Sequence, residues 1–148
     1  MKKILNWDEY FMAMAKLSAK RSKDPNTKVG ACIVNKENRI IGLGYNGMPQ
    51  GNDSFKWNKE GEDNKYKYVI HAEANAIMNS IKKIKGSVIY VSLFPCNECA
   101  KLIAQSEVKE VVYENHKYKG ELIFDISEKI LKECGVKIRQ LSIDEIII

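Results

Sequence analysis

HAEANAIMNSIKKIKGSVIYVSLFPCNEC, residues 71–99, is the stretch whose reading decides the fold. Between Ala72 and Ile84, Ala74, Ile77, Met78 and Ile81 recur at helical spacing, which predicts one amphipathic helix. Ser87 to Phe94 reads as a buried strand. Beyond Pro95, the segment Cys96 to Ser106 returns to helical spacing through Leu102, Ile103 and Ala104. Helix, strand and helix in succession imply parallel crossovers and a sheet covered on both faces.

Working outward extends the pattern. Toward the C-terminus, Glu110 to Tyr113 is a short strand, Glu121 to Cys134 an amphipathic helix closed by Gly135, and Val136 to Leu141 a last strand. Toward the N-terminus, Asp8 to about Arg21 reads as a helix through Tyr10, Phe11, Met14, Leu17 and Ser18, with Asn6 or Asp8 as its cap. After the turn Asp24-Pro25-Asn26, the runs Val29 to Asn35 and Arg39 to Tyr45 flank Lys36-Glu37-Asn38 and form an antiparallel hairpin. The expected fold class is α/β, a three-layer α/β/α sandwich around a mixed sheet of about five strands. The polar stretch from Asn46 to Tyr68 exceeds the usual connection of about 4–6 residues, and Phe55 and Trp57 inside it are expected to pack. The apolar tail Ile143 to Ile148 reads as an added strand or a subunit contact.

With 148 residues, 45% hydrophobic and 29% charged, the chain is expected to form one domain over residues 1–148. The N-terminus, Met1-Lys2-Lys3-Ile4-Leu5-Asn6-Trp7-Asp8-Glu9, meets acidic residues before any signal-like apolar run, and no membrane-spanning run occurs. The expected location is therefore the cytoplasm, without a membrane partner. In that reducing setting Cys32, Cys96, Cys99 and Cys134 read as core residues, metal ligands or nucleophiles before they read as disulfides. A net charge of +5 permits an anionic ligand. Yet the lysines are scattered, and clusters such as Lys82-Lys83-Ile84-Lys85 lack the interleaved aromatics of a single-strand groove, so no nucleic-acid partner is expected.

Chemistry concentrates at His71-Ala72-Glu73 and Pro95-Cys96-Asn97-Glu98-Cys99, each at a helix start with the buried strand between them. Residues three apart on a helix lie about 60° apart around the axis, so Cys96 and Cys99 can turn both sulfurs to one metal. Two thiolates and an imidazole suit tetrahedral zinc, and the positive end of a helix dipole favours thiolate over thiol. Three protein ligands leave a position open, the mark of a catalytic zinc. Glu73 sits about 200° round the helix from His71, poorly placed to coordinate and well placed as an acid/base.

Other readings exist. A lone C-x-x-C serves redox chemistry or half a structural zinc knuckle, and a non-catalytic zinc module would need a fourth ligand from His116, Cys32 or Cys134. Cys32, in a buried strand, and Cys134, near a helix end, read more simply as core. A deaminase acting on nucleic acid would share the zinc site but add a basic aromatic channel. The ordered pairing of H-x-E with P-C-x-x-C is the signature of zinc-dependent nucleobase deaminases.

Four segments carry a closer resemblance: Arg21-Ser22-Lys23-Asp24-Pro25-Asn26, Gly44-Tyr45-Asn46-Gly47-Met48-Pro49, His71 to Ile77, and Leu93 to Lys101. From about Trp7 to Val136 the chain resembles the deoxycytidylate (dCMP) deaminases, with a cytidine deaminase-like fold. The resemblance implies one Zn2+ per chain on His71, Cys96 and Cys99, with Glu73 moving protons as dCMP is hydrolysed to dUMP and ammonia, supplying dUMP for thymidylate synthesis. It implies substrate contacts at Asn46, on the sugar, and at Ala72. For the phosphate, Arg21 is preferred over Arg39 and Arg139, and Tyr118, beside Lys117 after the fourth strand, is a further candidate. It also implies a homo-oligomer, hexameric in the family, activated by dCTP and inhibited by dTTP. The triphosphate, accompanied by Mg2+, would sit near Gly44, Tyr45 and Gly47. The second zinc that some members carry is not expected, since residues 46–68 contain no histidine or cysteine.

Overall fold

A computed structural model describes residues 3–51 and 53–148 of the chain; Met1 and Lys2, the basic start read above, and Asn52 of the long loop lie outside them. Helix α1 (Trp7–Ala19) begins at a reciprocal cap. Asn6 Oδ1 accepts from the Glu9 N–H at 2.8 Å, and the Glu9 carboxylate accepts from the Asn6 N–H at 3.1 Å. Strands β1 (Gly30–Val34) and β2 (Ile40–Tyr45) form the antiparallel hairpin. After a 3-10 turn at Lys65–Lys67 come α2 (Ala72–Met78), β3 (Val88–Leu93), α3 (Asn97–Gln105), β4 (Glu110–Asn115), α4 (Leu122–Glu133) and β5 (Lys137–Gln140).

The strands make one mixed sheet in the order β2-β1-β3-β4-β5, with β1 antiparallel to β2 and β3, and β3, β4 and β5 parallel. The two-residue side-chain period divides the core. Ala31, Ile33, Ile89, Val91 and Val111 meet α2, α3 and α4, while Cys32, Val34, Tyr90 and Val112 meet Phe11, Met12 and Ala15 of α1. This is the expected three-layer sandwich.

Register decides where a site can form. Gly30 faces Tyr45, and Leu93 faces Asn115, so the start of β1 and the ends of β2, β3 and β4 share one rim of the sheet. Val34, Val88, Glu110 and Lys137 define the opposite rim.

Several expectations need correction. The buried face of α1 is Phe11, Met12, Ala15 and Ala19, whereas Tyr10 and Leu17 are exposed. Close approach explains this: a β-carbon on Gly30 would lie 1.8 Å from the Ala15 carbonyl oxygen, so alanine and glycine mark the contact. Helix α2 stops at Met78 instead of reaching Ile84, and Met78 and Ile81 are exposed. Ser80 donates its hydroxyl back to the Ala76 carbonyl at 2.9 Å, and the Ile81 N–H goes to Ile41 of β2 at 3.0 Å. The tail forms no strand: Ile143 packs on the α1 side while Ile147 and Ile148 are exposed. Cys134 is exposed and not core. It caps α4 ahead of Gly135, whose φ of 78° closes a Schellman turn, with the Val136 N–H bonded to Leu131 at 2.8 Å.

Candidate active site

Two helix starts meet on the near rim. His71 is the N-cap of α2 and Cys96 the N-cap of α3, with Cys99 in the first turn of α3. Helix α2 is held against β2 by Asn75, whose amide donates to the Tyr45 carbonyl at 2.8 Å. It comes that close because Gly44 has no side chain: a β-carbon there would lie 2.3 Å from the Ala76 nitrogen and 2.4 Å from the Ala72 oxygen. On the other side Ser127 of α4 donates to the Pro95 carbonyl at 2.7 Å and fixes the turn that presents Cys96.

His71 Nδ1 lies 3.4 Å from each of the two sulfurs, and the three donor atoms all fall within 4.8 Å of one another. A tetrahedral zinc with bonds of about 2.0–2.3 Å sets nitrogen–sulfur edges near 3.5 Å, so the donor set fits the ion. Charge favours the same conclusion. The Cys99 thiol donates to Cys96 and, with His71, holds the Cys96 thiol down at about 4; the same bond pushes Cys99 up. His71 is raised by its bond to Cys96. A thiolate is thus stabilised where a cation would sit. Glu73 stands beside this cluster without joining the converging donors. It is buried, 4% exposed, and burial pushes its carboxyl up to about 7.

A cavity of about 300 Å³ opens onto these groups. His71, Ala72, Glu73 and Cys96 line it together with Asn46 and Tyr118, so the structure gathers most of the expected site residues. Cys99 lies behind them, buried. Asn46 is buried too: its Oδ1 accepts from the Val29 N–H at 2.9 Å, and its amide donates to the Thr27 carbonyl at 3.0 Å. Arg21 is elsewhere. With Tyr45 and Gly47 it lines a second cavity of about 500 Å³, its guanidinium 5.8 Å from the centre of the Tyr45 ring. Gly44 borders neither cavity and faces α2. Of the alternative ligands, His116 stacks on Phe94 with ring centres 4.1 Å apart, and Cys32 lies on the α1 side of the sheet, its thiol pushed up to about 12 by burial.

Sequence reasoning missed Lys65. It is buried against Asp24 and lines the same cavity. Its signal is slight, one lysine among several in the loop, although Asn64 does accept from the Tyr66 N–H at 3.0 Å as a short-turn cap. The loop packs as expected at Phe55, whose ring lies 5.3 Å from that of Tyr68.

The cytidine and deoxycytidylate deaminase zinc-binding region matches residues 5–115. The chain belongs to the cytidine and deoxycytidylate deaminase family. It is 53% identical over 142 residues to the human deoxycytidylate deaminase, covering 92% of this chain and 80% of the relative. It is 50% identical over 153 residues to that of Pongo abelii, covering 95% and 86%. A solved dCMP deaminase from the cyanophage S-TIM5, in complex with dCMP and dUMP, superposes with a TM-score of 0.79 at 30% identity, covering 95% of this deaminase and all of that chain. A cytidine deaminase mutant from Mycobacterium tuberculosis, at 14% identity and a TM-score of 0.51, shares the fold. No helix among the described residues of the deaminase is long and apolar enough to cross a membrane.

Proposed function

We propose that this deaminase hydrolyses dCMP to dUMP and ammonia in the cytoplasm, supplying dUMP for thymidylate synthesis. The observation that carries the reading is one cavity lined by His71, Cys96 and the buried Glu73, with the Cys99 sulfur buried behind them among the converging donors. Relatives bearing the dCMP deaminase name support the choice of base and sugar.

His71, Cys96 and Cys99 would hold one zinc, which supplies an acidified water with a pKa of about 7 at the cytosine ring. Glu73 would take one proton from the attacking water and deliver it to the ring nitrogen, where it stays in dUMP, and would carry a second proton from the hydroxyl formed at the ring carbon to the departing amine, so that dCMP and water become dUMP and ammonia. Burial shields this carboxylate from bulk solvent, which keeps the proton between enzyme and substrate. Ala72 opens α2, where backbone N–H groups have no partner within the helix and can donate to the base. Asn46, locked by Val29 and Thr27, presents a fixed edge to the sugar.

Regulation belongs to the second cavity. Arg21, Tyr45 and Gly47 line it, and a triphosphate with its Mg2+ is the proposed occupant, dCTP activating and dTTP inhibiting a hexamer. Exposed apolar residues Leu122, Ile123 and Ile126 on α4 supply surface for assembly. Ammonia release from dCMP, deoxycytidine, dCTP and a short single-stranded DNA tests the substrate; dCMP should be turned over fastest. Sigmoidal dCMP kinetics made hyperbolic by dCTP test the regulation, and kinetics indifferent to both triphosphates would contradict it.

A further inference from the structure

His116, excluded above as a metal ligand, is packed against the cavity all the same. It follows β4 on the near rim, and its ring lies on that of Phe94 with centres 4.1 Å apart and planes 15° apart. Phe94 lines the cavity together with His71, Glu73 and Cys96. Two further rings close around the stack. Tyr113 stands edge-on to both, at 4.9 Å from Phe94 and 5.7 Å from His116, and Phe124, another cavity residue, is tilted at 6.2 Å from His116. The Phe94 N–H also donates to the Asn115 carbonyl at 2.8 Å, so the end of β4 holds both the ring and the backbone of Phe94.

One atom in this aromatic box is unsatisfied. His116 Nδ1 is buried and has no hydrogen-bond partner among the described residues. A buried N–H without an acceptor is costly, so Nδ1 carries the lone pair of a neutral ring and Nε2 the proton. A second proton would bury a charged N–H with nothing to receive it, and turning the ring out of the stack relieves that cost. Nearby charges do not reverse this. Glu128 and Asp125 of α4 favour the proton and Lys119 on the same turn opposes it, but burial outweighs them and holds the ring below its ordinary 6.5. Glu128 is engaged by Lys132 at 2.7 Å, Lys117 is turned to Thr27, and Phe94, Tyr113 and Phe124 present only rings. Resting on the deaminase reading above, we infer that His116 is a positioning residue: as a neutral ring it backs Phe94 and keeps the cavity wall beside Cys96 in place for substrate, and as a cation it leaves the stack and loosens that wall.

The experiment reads kcat/KM for dCMP against pH in the wild type and in His116→Phe, which keeps a stacked ring and removes the titrating nitrogen. Glu73 and the substrate's phosphate titrate in both proteins and cancel in the ratio of the two profiles. Because the folded value is the lower one, the stack is intact above 6.5 and is lost as pH falls through the folded value. The ratio of wild type to His116→Phe should therefore be level above 6.5 and fall by about 2- to 10-fold in acid, the worth of an aromatic pair, with the loss in KM and not in kcat. His116→Ala, which removes the ring, should raise KM by a similar factor at every pH. A ratio that does not change with pH overturns the inference. Where His116→Phe fails to fold, nitrogen-15 shifts of the wild-type ring decide: a bare Nδ1 at neutral pH supports the inference, and a proton on Nδ1 overturns it. A wild type that does not deaminate dCMP overturns the substrate reading and this inference with it.

Discussion

Lys65 Nζ sits 3.0 Å from Asp24 Oδ1 and 3.1 Å from Oδ2, both side chains buried, so one ion pair joins the long loop to the segment ahead of β1. Asp24 also accepts the N–H of Asn26 at 2.8 Å, and Asn46 donates to its other oxygen at 3.3 Å. The pair therefore belongs to a network that includes a wall of the cavity lined by His71 and Glu73.

Removing one partner of this pair should cost far more than removing both. Asp24→Asn leaves a buried ammonium without its counter-charge and is expected to destabilise the fold by about 3 kcal/mol, whereas adding Lys65→Met should recover part of that loss. Burial alone would raise the Asp24 carboxyl, but the Asn26 N–H and Lys65 outweigh it and hold it below its ordinary 3.8. Because the folded value is the lower one, the stabilisation is full above 3.8 and is lost as pH falls through the lower folded value. Urea melts at neutral pH and in this acid window check both statements; equal losses in the single and double variants would contradict the first.

The metal comes next. Purified protein should carry about one zinc per chain, and Cys99→Ala should lose both the metal and the activity, as removal of one of three protein ligands predicts. Elemental analysis of the two proteins decides it, and two zincs per chain would contradict the single site.

Glu73→Gln should separate chemistry from coordination. The amide keeps the size of the side chain but cannot take a proton, so zinc content should hold while kcat falls at least about 100-fold. If metal leaves together with the carboxylate, Glu73 is a ligand.

Gly44 and Gly47 give a paired test of how α2 is seated. Gly44→Ala forces a β-carbon into the backbone of α2 and should cost about 1–3 kcal/mol while displacing His71 and Glu73, with activity falling as well. At Gly47 the nearest neighbour of a β-carbon is Tyr45 at 3.9 Å. Gly47→Ala should therefore change stability by less than about 0.5 kcal/mol. Thermal melts of the two variants check the contrast.

Which parts of this were legible in the sequence follows from where the physical signal lies. Strands β1 to β4 announced themselves through apolar runs, β5 through Val136, Ile138 and Leu141 after the Gly135 cap, and His71, Glu73, Cys96 and Cys99 through residue types that few other roles require in that order. The face of α1 was misread because close helix–sheet contact is made by Ala15 against Gly30, and small residues carry little hydrophobic signal. Helix α2 was drawn too long because Ile81 keeps the helical spacing while its N–H is taken by Ile41, a partner remote in sequence. Lys65 was invisible for a related reason: a buried lysine is defined by its counter-charge, and Asp24 lies 41 residues away. The same holds for the division of labour among cations, in which Arg21, the better phosphate partner by residue type, opens into the neighbouring cavity.

The two rims of the sheet have a practical consequence. Every group assigned to substrate stands at one rim, while the far rim carries chain reversals, among them those at Asn38 and Glu107 with φ near 60° and at Gly86 and Gly135 with φ near 80°. The hairpin tip at Lys36–Asn38 is exposed, and its backbone bonds close locally around Asn35 and Arg39. Lengthening such a loop adds little entropy cost, because closure grows only with the logarithm of length. The tip at Asn38 is thus an attachment point for a tag, a fluorophore or a grafted peptide, from which a reporter can follow the enzyme while the opposite edge goes on working.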